Sequence, residues 1–116
     1  MKNGPSRERA PGRLPPLLPP KEFLAAIGEL DECILEAIPL IKGFRAPRGG
    51  FPKEIEEIVT HLREVLAMAQ AVNVQNPTQS YKNGFAIVDI KERTEKLREA
   101  ITNFNTMQKS LNYENL

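Results

Sequence analysis

The sequence predicts an all-α fold: an antiparallel three-helix bundle, up-down-up, over residues 21–116, behind a disordered Pro/Arg-rich arm at residues 1–20. Three observations predict it. Apolar residues recur in alternating steps of four and three along three separate stretches, the spacing that keeps one stripe of a helix against a partner. The stretches are separated by connections rich in glycine, proline and asparagine. The apolar share is 41% with no Trp and only 6% aromatic residues, so the core of this small domain must be aliphatic.

The arm holds six of the ten prolines, two glycines, four cations and one acid. Such a segment cannot bury enough apolar surface to offset its ordering entropy, and Leu14 to Pro20 should have polyproline II character. Arg13, Pro16 and Pro19 fit the R-x-x-P-x-x-P spacing read by aromatic-grooved domains, although a match this short arises easily by chance. Lys2, Arg7, Arg9 and Arg13 imitate the start of a signal peptide. Prolines interrupt Leu14, Leu17 and Leu18, however, so the required apolar run never follows.

The first helix opens at Lys21 with Pro20 in its first turn. Its stripe is Phe23, Ile27, Leu30, Ile34, Ala37, Ile41 and Phe44. Leu24 and Ile38 widen the stripe on one side; Ala26, Cys33 and Leu40 widen it on the other, a width suited to a helix with two partners. Glu29, Glu32 and Glu36 mark the wet face. Pro39 removes a backbone donor inside the pattern, so the spacing predicts a kink there, with an early stop as the alternative.

Gly43 to Phe51 is a connection of helix breakers, and Pro52 restarts the chain into a second helix over about Lys53 to Val72. Its stripe is Ile55, Ile58, Leu62, Val65, Ala69 and Val72, supported by Val59 and Leu66. Glu54, Glu56 and Glu57 complement the helix dipole in its first turn. Asn73 to Gly84 reads as a polar loop with Asn-Pro and Asn-Gly turn signals. The third helix starts either at Phe85, capped by Asn83, or at Asp89, which forms a capping-box variant with Glu92. Its stripe is Ile90, Thr94, Leu97, Ile101, Phe104 and Leu111, ending near Asn112, with Gln108 as a polar residue in the seam.

Chemistry is sparse. No P-loop, dinucleotide-binding glycine motif or nucleophile elbow occurs, and one His with one Cys excludes a single-chain structural zinc site. The lone thiol also excludes an internal disulfide, which favours a reducing, cytoplasmic setting. Net charge is +1, too little for a general nucleic-acid-binding field, and no apolar run is long enough to span a membrane. Cys33 and His61 occupy flanking positions that meet in an antiparallel pair. A reactive thiolate would be conceivable there, but without any oxyanion-stabilising element a structural Cys beside a half-exposed His is the better reading.

The candidate binding site is the connection between helices one and two. Lys42, Arg45, Arg48 and Lys53 lie in it without an acid, Phe44 and Phe51 bracket it, and Gly49-Gly50 would let backbone approach a phosphate. Leu35 on the outer face of helix one, with Thr60, Ala67 and Ala71 on helix two, makes a weakly polar strip that a monomer does not need. The expected function is therefore a non-catalytic helical protein-protein interaction or assembly module, self-associating as a homodimer or larger. The alternative is a nucleic-acid-associated accessory protein using the arm and the basic loop. No cofactor, metal or membrane is expected.

Overall fold

The computed structural model describes residues 18–45 and 48–114, with side chains as far as Leu111. The expected disordered arm falls, up to residue 17, outside the described residues. Four helices follow in order: α1 over Lys21–Gly43, α2 over Lys53–Gln70, α3 over Pro77–Lys82 and α4 over Ile87–Glu114. Among the described residues the fold is all-α, and no helix is long and apolar enough to cross a membrane.

Helix α1 begins one residue after Pro20, which serves as its N-cap rather than as part of the first turn. The Pro20 carbonyl accepts from the Leu24 amide at 3.1 Å, so the ring's fixed φ presets the entry without a side-chain cap. The helix runs through Pro39 to Gly43, which excludes the early stop. Pro39 is exposed, as is Leu35, whose carbonyl lacks the donor that Pro39 cannot supply; water can serve it there.

The α1 stripe is buried as the spacing predicts: Phe23, Ile27, Leu30, Ile34 and Ala37 are in the core, with Ile41 and Phe44 packed partly buried at its far end. Ala26 and Cys33 join them, because α1 packs against both α2 and α4. Helix α2 buries Val59, Leu62, Val65, Leu66 and Ala69, and stops at Gln70, two residues short of expectation. Val72 is buried nonetheless, in the turn that follows.

The segment Asn73 to Gly84 is not a plain loop. Asn76 accepts from the Gln79 amide at 3.1 Å through Oδ1, and Pro77 takes the first helical position of α3. The Asn-Pro pair that signals a turn is here a cap and a helix start. The buried Ser80 hydroxyl donates to the Asn73 carbonyl at 2.9 Å, folding α3 back on its own lead-in. Tyr81 then meets Phe23 edge-on at 5.0 Å, which fastens α3 to the start of α1.

Helix α4 starts between the two expected positions. Asp89 does not cap as the leading residue; it lies in the first turn and accepts from the Ala86 amide through Oδ2 at 3.3 Å. That is the back-reaching half of a capping box. The stripe continues from Phe104 to Met107, not to Gln108, so the seam residue is apolar and Gln108 is half exposed. Thr94 is the polar member of the seam, its hydroxyl satisfied by the Ile90 carbonyl at 3.0 Å.

Candidate functional site

The basic loop is built on the closed end of α1. The Phe44 amide donates to the Ile41 carbonyl, and Arg45 turns back so that Nη1 donates to the Lys42 carbonyl at 2.8 Å. Both bonds occupy carbonyls that the helix end leaves free, and they place two cations at its negative pole. Gly49 and Gly50 hold φ of 90° and 82°, a left-handed pair that other residues adopt with strain. Lys42, Arg45, Arg48 and Lys53 are all exposed.

Phe44 and Phe51 are brought together, but not as open stacking faces. Their rings stack at 5.0 Å with 21° between planes, and Phe44 meets Phe104 of α4 edge-on at 5.1 Å. The aromatic pair therefore clamps the loop to the core. Phe104 is the member of this trio that the loop sequence does not announce.

Cys33 and His61 are not brought into one chemical site. Cys33 is 5% exposed and faces α4, where burial raises its thiol pKa and the charge and hydrogen bond of Arg98 partly lower it again. Arg98 also lies 3.7 Å from Glu29 and 3.4 Å from Glu95. His61 is exposed on the outer face of α2, beside Lys53, Glu57 and Glu64.

Two further concave surfaces lie among the described residues. One, of about 400 Å³, lies where α2 ends and α4 begins and is lined by Met68, Phe85, Asp89, Glu92, Arg93 and Lys96. Arg93 is already engaged there, over the Phe85 ring at 5.2 Å and on the Met68 carbonyl at 3.1 Å. The other, of about 440 Å³, runs between α1 and the end of α2, lined by Asp31, Ile34, Leu35, Ile38, Val72 and Val74. It is the more apolar of the two. Leu35, 60% exposed, forms its outer lip.

Three α1 residues of this groove, Asp31, Leu35 and Ile38, belong to a longer row, a second stripe, on that helix. Leu24, Gly28, Asp31, Leu35, Ile38 and Lys42 repeat the steps of four and three on the flank of the core stripe. Leu24 and Ile38 read in sequence as the margin of one wide stripe, and Leu35 as an outer-face residue grouped with Thr60, Ala67 and Ala71 of helix two. Their common spacing is the signal that joins them.

No family model, curated protein or solved structure matches the chain.

Proposed function

We propose that this chain is a non-catalytic, self-associating helical interaction module of the cytoplasm, its three long helices forming an up-down-up bundle. The pairing of positions supports that arrangement. Glu29 approaches Arg98 while Phe44 approaches Phe104, so the pairs advance together along α1 and α4. Met68 near the end of α2 meets Arg93 near the start of α4, as opposed helices would.

The observation that carries the function is the second stripe of α1. Scattered exposed apolar residues need no explanation, but Leu35 and Ile38, three apart beside a groove with an acid and a cation one turn further out on either side, make a surface that a further helix could recognise. Sedimentation of the full chain at micromolar concentration should give a dimer or larger. A strict monomer of 13.0 kDa overturns the self-associating reading.

A second reading, a nucleic-acid accessory role, is favoured by one feature: four exposed cations in and flanking the connection between α1 and α2, without an intervening acid. Retention on heparin, DNA or RNA at low salt tests it.

A further inference from the structure

Resting on the self-association proposed above, a more specific inference concerns how two copies meet. The middle of the second α1 stripe reads Asp31, Leu35, Ile38, Lys42: an acid, two apolar residues and a cation at steps of four, three and four. Leu35 is 60% exposed, Asp31 and Ile38 are half-buried along the groove, and Lys42 is exposed. Among the described residues neither Asp31 nor Lys42 has an ion-pair partner within the chain.

That order is self-complementary when reversed. We propose that a second copy of the chain docks on this face, α1 against α1 antiparallel, with Leu35 packed on Ile38 and Asp31 facing Lys42, each pairing made twice. Both pairs share one midpoint, between Glu36 and Ala37, so a single two-fold axis generates all four pairings; this is the isologous geometry of a closed dimer. The four residues span about 16 Å of helix, three turns, at about 1.5 Å per residue. An apolar centre flanked by opposite charges fixes register and disfavours the parallel alternative, which would set Asp31 on Asp31 and Lys42 on Lys42.

The next step outward fits as well. Beyond Lys42 the helix ends at Gly43, and the α1 residue of the other copy next to that end is Gly28, where nothing lies within 4 Å of the place a Cβ would take. The basic loop therefore has room beside the acidic half of the opposing α1, of which Asp31 lies on this face while Glu29 is turned towards Arg98 of α4. Lys42 so finds its partner, Asp31, in a second copy rather than in a polyanion.

A charge swap in the full chain tests the register. Asp31→Lys and Lys42→Asp, made singly, should each weaken dimerisation about tenfold or more by setting like charges face to face. The double variant should recover to within about threefold of the parent, because the pairs are re-formed with exchanged signs. Leu35→Glu should abolish association while leaving helical content near the parent's and the thermal midpoint near that of the parent diluted to monomer, since Leu35 takes no part in the core. A dimer indifferent to the single swaps, or not rescued by the double, overturns this register while self-association stands. A parent that is monomeric throughout overturns self-association itself. Dimerisation that emerges only on deleting residues 2–17 overturns the register in another way, by assigning the groove to the chain's own arm.

Discussion

Arg93 of α4 donates through Nε to the carbonyl of Met68 at 3.1 Å, closing the end of α2 with a side chain twenty-five residues further on. The same guanidinium lies over Phe85 at 5.2 Å and gives Nη1 to the Asp89 carbonyl at 3.3 Å. One residue thus ties the end of α2, the turn after α3 and the first turn of α4. Arg93→Ala should destabilise the fold by about 1 kcal/mol, as expected for a half-exposed charged hydrogen bond to a carbonyl. Arg93→Lys should recover only part of it, because a point charge cannot serve both carbonyls and lie flat on the ring. Urea unfolding of the two variants measures this, and amide exchange should quicken first in Leu66 to Gln70.

A pair of leucines on α1 and α2 separates core from surface. Leu62 is fully buried among the α1 and α4 side chains, so Leu62→Ala should cost about 2 to 5 kcal/mol through lost transfer energy and the cavity it leaves. Leu35→Ala should change monomer stability by less than about 0.5 kcal/mol, as at most surface positions. Chemical denaturation at dilution low enough to keep the chain monomeric checks both. Equal costs would mean that the outer stripe belongs to the core.

The legible part of this fold is the part where a single helical periodicity decides burial. The stripes Phe23 to Ala37 and Ile90 to Phe104 are readable because their burial follows helix geometry alone. Short-range chemistry is harder. Asn76-Pro77 carries the same letters as a turn, and only the return of Ser80 to Asn73 and of Tyr81 to Phe23 makes it a helix start. Met107 displaces Gln108 from the seam because a step of three and a step of four both stay on the stripe, and packing decides between them. The cations of the basic loop are visible as a cluster, whereas the clamp of Phe51 on Phe44 and Phe104 depends on a residue of α4, remote in sequence. Cys33 shows the same limit: its flanking position suggests His61, but the α4 side of α1 supplies Arg98 instead.

That placement fixes the pH behaviour of the thiol. Burial raises the Cys33 pKa, with Arg98 opposing and the charges of Glu36 and Glu32 adding to the rise. The folded thiol therefore stays protonated after an unfolded one has begun to ionise. Its stabilising contribution is complete below the ordinary thiol range and is lost as pH climbs through that range to the raised folded value. Alkylation of the native protein at pH 7 to 8 should be several-fold slower than that of the same thiol in denaturant. Arg98→Ala should slow it further by removing the one charge that favours the thiolate. Faster alkylation of the native thiol than of the denatured one would contradict this account.

The basic loop provides the test that separates a protein partner from a polyanion. Arg45 and Arg48 contribute no side chain to the core, and the clamp that holds the loop is aromatic. Arg45→Ala with Arg48→Ala should therefore leave the thermal midpoint within a few degrees of the parent, the small loss reflecting the carbonyl that Arg45 closes on Lys42. If a nucleic acid is the partner, the double variant should bind it more weakly, and the salt dependence should become shallower by about 0.7 to 0.9 for each phosphate no longer neutralised. If a second copy is the partner, the variant should instead dimerise less well, and its residual retention on heparin should equal the parent's. The expected result is the second. The charge balance of the whole chain is only +1, so its overall field does little to draw a polyanion to this loop. Strong retention of the parent on DNA or RNA at physiological salt, abolished by the double substitution, would reverse that choice.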